Sequence, residues 1–441
     1  MNAEATRRLT DVYGTGRNVP LTYVERSGVD DRFQNDLTRD KHIVLHGGSK
    51  QGKTCLRKYH LQESDFIVVQ CTRETIKPKL YESILKKAGI PSEVSQSKTV
   101  TGGAKLKISL SAEGNLPFIA KAGGEATGEM NRDTSNVIES RNFEIDPEDA
   151  NDVVEALKAA GFTKFIIVED FHYLAEEVQR SMAVDLKVFH ENSKLVFIIV
   201  GVWLEADRLT VFNGDLSGRI STINLDAWKS EELLEVAKKG QPLLNIIISD
   251  EVCIHAVEQC QGNVGLLQEV LYQICEQADV WKTKDEQKEV GTVEAVDQAL
   301  RNVADQQEPR YKTFLMQFAE GLGHTELEIY KWLLFAVLTA RPAEIRSGLR
   351  PNIVFQRIKA SHPKQDSLQQ NNISQALENV GKVQFKHKIQ PLILDFSNAR
   401  LTVVDASFLV FLSTHDRNEL LELIGIRKWG GPELFAGIET S

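Results

Sequence analysis

The sequence predicts an α/β fold in which a parallel sheet lies between two layers of helices, followed by a largely helical region. Three observations predict it. Apolar runs of strand length alternate with amphipathic runs of helix length from about residue 42 to residue 240. A glycine-rich stretch joins the first of these strands to a helix, and a later strand ends in two acidic residues. Beyond residue 240 the apolar spacing becomes mainly helical.

Composition places the chain among ordinary globular proteins. It has 441 residues, 42% hydrophobic and 26% charged, which is enough for two or three buried cores. Its net charge of −10 argues against nucleic-acid binding over the whole surface. Five scattered cysteines without CxxC spacing argue against a disulfide framework or a Cys-rich zinc site. No apolar run approaches the roughly 18 residues of a membrane span, so we expect a cytoplasmic protein.

Alternation of strands and helices predicts a parallel sheet, because parallel strands need crossover connections. A stretch rich in Ser, Gly, Lys and Thr, residues 95–142, interrupts it, and residues 105–110 inside it alternate like a hairpin strand. This insert is either a flexible excursion at the sheet edge or a loop that touches a neighbouring subunit or ligand. The predicted strands cover residues 42–46, 66–70, 165–168, 195–200 and 220–225, and the helices cover 53–60, 77–87, 147–160, 175–190 and 230–239.

The C-terminal half is predicted to contain helices and then a hairpin. Helices followed by a hairpin are typical of a winged-helix arrangement. The predicted helices cover residues 250–259, 264–278, 292–304, 311–319, 326–339, 351–360 and 374–380, the strand-like runs cover 389–396 and 401–404, and an apolar segment covers 406–413.

The glycine-rich stretch fits the pattern G-x-x-x-x-G-K-[ST], with a strand before it and a helix after it. Its glycines let backbone N–H groups surround phosphate oxygens, and the helix N-terminus adds a favourable potential. The lysine can reach the β and γ phosphates, and the threonine hydroxyl can bind Mg²⁺. The sequence therefore predicts a P-loop NTPase fold that binds ATP and Mg²⁺ through Gly47, Gly48, Ser49, Lys50, Gln51, Gly52, Lys53, Thr54 and Cys55.

The acidic pair at the end of a strand is the partner that such a loop needs. Glu169 and Asp170 follow the apolar run 165–168 in the Walker B layout, where the first acid orients Mg²⁺ and the second polarises water. Here the longer acid comes first, so we expect Asp170 to activate water poorly and hydrolysis to be slow. Lys53, Glu169 and Asp170 are thus candidate catalytic residues, and Thr54 and Glu169 are candidate Mg²⁺ ligands.

These motifs resemble those of the AAA+ ATPases and their STAND relatives, particularly the origin-recognition-like and transposition-regulator-like branches, over about residues 20–280. Residues 20–26 look like the box that holds adenine in this group. The resemblance implies nucleotide contacts from Tyr23, Val24 and Arg26. The alternative for Tyr23 and Val24 is a plain core position.

The resemblance also implies an arginine finger. Residues 215–220 look like the family's Ser-Arg-Phe box, whose arginine enters the ATP site of a neighbouring subunit. A planar guanidinium suits the charge that develops on the transferred phosphoryl group. Arg219 is the candidate, with Arg208 in reserve, and a surface salt bridge is the alternative.

Two other family positions depart from the usual pattern. The strand resembling the sensor-1 strand runs into Gly201-Val202-Trp203, where a polar residue commonly sits. Residues 262–267 resemble the lid segment, but Gly265 stands where the lid arginine is expected. This departure favours a STAND-like lid that grips nucleotide through its backbone.

One stretch is basic in this acidic chain. Residues 341–388 contain nine basic residues and three acids, a local charge of +6. DNA contact through residues 341–404 is therefore an alternative to plain solvated surface.

The predicted organisation is a nucleotide-binding domain (1–240, insert 95–142), a helical lid (241–305), a winged-helix-like domain (306–428) and a tail (429–441). We expect an ATP-binding switch that hydrolyses ATP slowly to ADP and phosphate and controls assembly or partner engagement, as a homo-oligomer or with another protein. By analogy with the resembled families, such roles include phage defence. The alternatives are a DNA-binding initiator or transposition-regulator ATPase and a structural protein that holds nucleotide without turnover.

Overall fold

The computed structural model describes residues 6–98, 104–111, 140–203, 207–226 and 228–426. Its strands are β1 (His42–His46), β2 (Phe66–Gln70), β3 (Ser92–Lys98), β4 (Ala104–Ser111), β5 (Ser140–Ile145), β6 (Phe165–Glu169), β7 (Phe197–Val200), β8 (Ile220–Asn224), β9 (Ile246–Ile247), β10 (Lys288–Glu289), β11 (Leu394–Ser397) and β12 (Arg400–Val403).

The helices of the first half are α1 (Leu9–Val12), α2 (Asp30–Leu37), α3 (Lys53–His60), α4 (Lys77–Lys87), α5 (Ala150–Ala159), α6 (Glu176–Asn192), α7 (Arg208–Phe212) and α8 (Ser230–Leu244). Those of the second half are α9 (Asp250–Gln259), α10 (Val264–Gln277), α11 (Val293–Glu320), α12 (Ile329–Leu338), α13 (Pro342–Ser347), α14 (Pro351–Lys359), α15 (Gln370–Glu378), α16 (Val380–Lys386), α17 (Ala406–Thr414) and α18 (Arg417–Leu423).

The central sheet is parallel, with the strand order β2-β6-β7-β1-β8. The five strands that the sequence predicts are the five strands of this sheet, and their ends differ by two residues at most. Strand β1 lies between β7 and β8, and every residue of it is buried. The glycine-rich loop therefore follows an interior strand and lies at the carboxyl ends of the parallel strands.

Helices cover both faces of the sheet, as the strand and helix alternation predicts. Because side chains alternate along a strand, Ile43 and Leu45 pack with Leu56 of α3, whereas Val44 packs on the opposite face. That face is covered by α4, α5 and α6. Helix α3 is thus fixed against the sheet directly beyond the glycine-rich loop.

The insert contributes a small antiparallel sheet of order β3-β4-β5. Strand β4 contains the run 105–110, for which a hairpin strand is predicted, and this prediction is confirmed. Leu106 and Ile108 pack into the same core as α4 and α5, so this strand is anchored on the domain. Residues 99–103 and 112–139 of the insert lie outside the described residues.

Helix α11 corrects the predicted element pattern. The sequence predicts two helices, over 292–304 and 311–319, whereas the structure has a single helix of 28 residues that contains Pro309. A proline inside a helix costs about 3 kcal/mol. Tyr311 and Phe314, both buried in the core beyond it, offset this cost. The predicted domain boundary at residue 305 falls inside this helix, so the lid and the C-terminal region share one continuous helix.

The C-terminal region has the predicted order of helices followed by a hairpin. Strands β11 and β12 pair antiparallel, and Leu349 bridges to Leu401 of β12. The strand-like run 389–396 is a strand only from Leu394, and the helix predicted over 374–380 is replaced by α15 and α16. The tail predicted at 429–441 lies outside the described residues.

The segment around Tyr13 is held on helix α8. Tyr13 is fully buried there, and its hydroxyl donates a hydrogen bond to the carbonyl oxygen of Ala237 at 2.6 Å. Gly240 of the same helix makes room for the ring, because a Cβ at this position would lie 2.3 Å from Cζ of Tyr13. Along the stretches that the structure describes, no helix is long and apolar enough to cross a membrane.

We predict that Gly240→Ala lowers the free energy of unfolding by about 1–3 kcal/mol, because the added methyl group overlaps the Tyr13 ring. The matched control is Gly381→Ala in α16, where no described atom lies within 4 Å of the added Cβ. Since alanine favours a helix over glycine by about 1 kcal/mol, the control should be neutral or stabilising. Urea unfolding measures both, and equal effects would contradict the Tyr13 contact.

Candidate functional site

The glycine-rich loop lies where β1 ends and α3 begins. Gly47 and Gly52 have φ angles of +138° and +86°, and Gly52 directly precedes the first residue of α3. The ammonium group of Lys53 donates hydrogen bonds to the carbonyl oxygens of Gly47 at 2.9 Å and Gly48 at 2.6 Å. The backbone of Gly47 and Gly48 therefore curves around the lysine, while Lys53, Thr54 and Cys55 form the first turn of α3.

The negative charges of three carboxylates act on the ammonium group of Lys53. Burial lowers the pKa of Lys53 to about 8, and the charges of Asp226, Glu169 and Asp170 oppose this shift. The two predicted acids therefore act on the predicted lysine, as expected for neighbouring strand ends. Asp226 is an acid that the sequence analysis missed.

Glu169, at the end of β6, forms an ion pair with Arg57 of α3. The Nε to Oε1 distance is 3.3 Å, and the two side chains are only 15% and 9% exposed. Burial raises the pKa of Glu169, and the charge of Arg57 partly opposes this. Arg57 in turn lies 4.9 Å above the ring of Phe66. Glu169 is therefore positioned by a cation that the motif does not contain, and a Mg²⁺ ion would have to share this carboxylate with Arg57.

Asp170 has a left-handed backbone, with φ 58°. Its carboxylate accepts a hydrogen bond from Nε2 of Gln70, at the end of β2, at 2.9 Å. The second acid is thus held by the neighbouring strand.

Asp226 follows β8 and supports the loop from the other side. Its Oδ1 accepts a hydrogen bond from the backbone N–H of Gly48 at 2.7 Å. Burial raises the pKa of this carboxyl, while the Gly48 N–H and Lys53 oppose the shift. The signal that could have found it is its place after β8, because ligands bind beyond the carboxyl ends of parallel strands.

A cavity of about 260 Å³ opens beside the loop. It is bounded by the segment that precedes α2, by the loop and first turn of α3, and by the start of α10. The predicted adenine-contacting residues Tyr23, Val24 and Arg26 line it, and so does Gly265 of the lid segment. Three further lining residues were not selected in the sequence analysis: Trp228, Val264 and Gln268.

Arg26 and Trp228 form one wall of the cavity. The guanidinium of Arg26 lies 3.9 Å from the ring centre of Trp228, and its Nη1 donates to the carbonyl oxygen of Leu225 at 3.1 Å. Tyr23 stacks on Tyr59 with 4.3 Å between ring centres. Such packed aromatic and planar groups suit a flat ligand ring.

The lid contacts the loop through its backbone. The N–H of Gly265 donates to the carbonyl oxygen of Lys50 at 3.1 Å, and Asn263 Nδ2 donates to the carbonyl oxygen of Ser49 at 3.1 Å. A Cβ at residue 265 would lie 2.5 Å from Cβ of Lys50. The residue at the expected arginine position must therefore be a glycine, because the lid and the loop approach each other too closely for a side chain there.

Buried polar atoms test whether a nucleotide fits this site. His172 accepts the Val202 N–H on Nδ1 at 3.2 Å, and burial lowers its pKa to about 3, so the neutral ring carries its proton on Nε2. Within the described residues, Nε2 of His172, Oε1 of Gln51, Oδ2 of Asp226 and Oε1 of Gln268 have no hydrogen-bond partner. Buried polar groups are normally paired, so these atoms indicate a polar ligand.

The residues therefore fit ATP with Mg²⁺. The loop amides and Lys53 would hold the phosphates. Glu169 and the hydroxyl of Thr54, a residue that is exposed, would hold the metal. The metal, when bound, neutralises phosphate charge.

Arg219 lies at the opposite edge of the sheet from its own loop, because it directly precedes β8, which runs parallel to β1. Its Nη2 pairs with Oε1 of Glu191 at 2.8 Å, and Nη1 donates to the carbonyl oxygen of Asp215. It is 31% exposed. Arg208, the reserve candidate, contacts Gln179 at 3.2 Å. The described chain thus contains the predicted surface salt bridge, and Arg219 cannot reach the site of its own chain.

The basic stretch 341–388 is partly neutralised within the chain. Arg357 pairs with Glu344 at 3.0 Å, Lys364 pairs with Glu326 at 2.6 Å, and Lys386 donates to a backbone carbonyl. DNA contact through residues 341–404 stays a prediction from the sequence.

The C-terminal region rests on the glycine-rich loop. The carbonyl oxygen of Val404 would lie 3.0 Å from a Cβ on Gly48. Arg73, beyond β2, donates to the carbonyl oxygens of Phe385 at 2.8 Å and Ile389 at 2.7 Å. The stretch from Phe385 to Val404 therefore approaches the carboxyl edge of the sheet at two places, beside the glycine-rich loop and beyond β2.

No protein-family model and no curated protein matches the chain. Its fold is similar to that of the Walker-type ATPase PABY2304 of Pyrococcus abyssi, with 12% identity over 91% of this chain and 99% of that chain and a TM-score of 0.52. Two further solved structures match with lower TM-scores: Aeropyrum pernix Orc1 in complex with DNA (11% identity, 94% of this chain and 98% of that chain covered, TM-score 0.45) and Pyrobaculum aerophilum Cdc6p (12%, 94% and 97%, 0.40).

The fold is thus that of a P-loop ATPase, with a parallel sheet, the loop at its carboxyl edge and a helical C-terminal region. The P-loop NTPase fold that the sequence predicts is confirmed.

We predict that ATP affinity falls as pH rises through about 8, because Lys53 must be an ammonium to hold phosphate. Below that pH the charged form is present and affinity is constant; above it affinity falls by at most about tenfold per pH unit. Titration calorimetry between about pH 7 and 9.5 checks this. Lys53→Arg, whose guanidinium keeps its charge, should give a flat profile. A flat profile in the unaltered protein would contradict the lowered pKa of Lys53.

Proposed function

We propose that this protein is an ATP-binding switch that hydrolyses ATP slowly to ADP and phosphate and thereby controls its assembly or its engagement of a partner. The observation that supports this most is the position of the cavity. It is enclosed by the N-terminal segment, the loop and the lid, and the C-terminal region rests on the same loop. A nucleotide in this place would touch the N-terminal segment, the loop and the lid.

Slow turnover is supported by the surroundings of the two acids. Glu169 is paired with Arg57 and Asp170 accepts a hydrogen bond from Gln70. Arg57 and Gln70 each occupy a carboxylate oxygen, so a water molecule has to compete with them for these acids. Rearrangement around the acids, or a group supplied by a neighbour, would then be needed for efficient hydrolysis.

Control of assembly is supported by Arg219. Since it lies at the far edge of the sheet, it can contribute only to the site of another molecule. Its pairing with Glu191 is a surface ion pair of small net stability, which a triphosphate could replace. The nucleotide-holding alternative without turnover is distinguished by a phosphate-release assay.

We predict that Lys53→Ala abolishes ATP binding, and that Arg219→Ala leaves ATP binding intact while it reduces phosphate release by about 10²-fold or more and prevents ATP-dependent assembly. The matched control is Glu191→Gln, which breaks the same ion pair but keeps the arginine. It should retain turnover and assembly. Binding by titration, phosphate release, and mass in solution with and without ATP are the measurements.

Retained ATP binding in Lys53→Ala would refute the site. If Arg219→Ala and Glu191→Gln impair turnover equally, the ion pair itself is what matters and the arginine-finger role is wrong.

A further inference from the structure

Gln268 of helix α10 has features that the phosphate chemistry does not use. It lines the cavity from the lid side and is 5% exposed. We propose that Gln268 selects adenine by accepting a hydrogen bond from the 6-amino group of the base. This inference rests on the proposed function, since it places a nucleotide in this cavity.

The orientation of the Gln268 amide is fixed by a chain of hydrogen bonds. The hydroxyl of Thr22 donates to the carbonyl oxygen of Val12 at 2.7 Å, so its only proton is used there. Oγ1 of Thr22 can then act only as an acceptor towards Gln268, and it accepts Nε2–H at 2.8 Å. The amide nitrogen therefore faces Thr22, and Oε1 is the other end of the same group.

Oε1 of Gln268 has no donor among the described residues. Leaving a buried carbonyl unpaired has a desolvation cost. A ligand group that donates a hydrogen bond at this point recovers that cost, whereas a ligand group with a lone pair adds repulsion to it.

The walls around Gln268 suit a flat, mainly apolar ring. Val24, Val236 and Val264 line the cavity, and Trp228 forms a side wall that Arg26 holds from one face. Among such walls a single oriented acceptor discriminates strongly, because a site built to hydrogen-bond a ligand group rejects the analogue that lacks it.

Adenine and the 6-oxo purines differ at this point. Adenine carries an amino donor at C6, whereas guanine and hypoxanthine carry a carbonyl acceptor. An acceptor at Oε1 therefore favours adenine and disfavours both 6-oxo bases. A purine with hydrogen at C6 lacks the donor and also lacks the repulsion, so it falls between them.

The test compares dissociation constants of ATP, purine riboside triphosphate and inosine triphosphate. The unaltered protein should bind ATP about tenfold or more tighter than inosine triphosphate, with purine riboside triphosphate between them. Gln268→Met, of similar length and without polar atoms, should narrow the ATP to inosine triphosphate ratio to about threefold or less.

Two further variants keep the test decisive. Thr22→Val leaves Gln268 in place but removes the partner that orients its amide, so it should narrow the same ratio. Gln273→Met is the matched control: this glutamine is also buried in α10, but its amide pairs with Glu269 and Asn302, and it is not among the cavity-lining residues described. It should keep the ratio of the unaltered protein.

Equal binding of ATP and inosine triphosphate by the unaltered protein overturns the inference and leaves the proposed function standing. An unchanged ratio of ATP to inosine triphosphate affinity in folded Gln268→Met also overturns the inference. If Gln268→Met does not fold, an unchanged ratio in Thr22→Val overturns it. If the unaltered protein binds none of the three triphosphates, the proposed function fails and the inference fails with it.

Discussion

The close approach of the lid to the glycine-rich loop is the contact on which the site depends. Gly265 lies against Lys50, backbone to backbone, at a distance that no side chain could tolerate. Asn263 links the same two elements, because its Oδ1 accepts the N–H of Leu266 at the start of α10 and its Nδ2 donates to Ser49. The start of the lid helix and the shape of the loop are therefore fixed by one junction.

Other parts of the chain are arranged around this junction. The N-terminal segment is held on α8 by Tyr13 and reaches the cavity at Tyr23 and Arg26. Helix α11 continues from the lid into the C-terminal region without a break, and that region returns to the loop at Val404. Helix α11 is thus a continuous connection between the lid and the part of the chain that lies against the loop.

Charge sets the second constraint. Lys53 lies in the field of three carboxylates, and burial still lowers its pKa. A triphosphate would bring further negative charge into this place, which a divalent cation has to neutralise. Under the proposed function, nucleotide binding would therefore depend on Mg²⁺, while Arg57 is the counter-charge that the protein itself supplies to Glu169.

The sequence predicted the parts of the site that are local in the chain. The loop, its strand and its helix lie within about twenty residues, and the motif states their chemistry directly. The contacts of Asp226 with Gly48 and of Gln268 with Thr22 join residues 178 and 246 positions apart. No spacing rule connects such residues, because the fold brings them together from distant parts of the chain.

The prediction of two helices in place of α11 was wrong because it relied on a local signal. Pro309 is a local signal for the end of a helix, and the prediction followed it. Burial of Tyr311 and Phe314 outweighs that signal, because tertiary packing contributes more than the propensity of one residue. The domain boundaries and the role of Arg219 stay predictions.

The most direct test of the account is ATP titration of Gly265→Ala, with Gly214→Ala as the control, since no described atom lies within 4 Å of a Cβ at residue 214. We expect Gly265→Ala to fold but to bind ATP at least about tenfold more weakly, because the methyl group displaces the lid from Lys50. The control should bind as the unaltered protein does. Unchanged ATP affinity in Gly265→Ala would show that the lid and loop junction does not form the site.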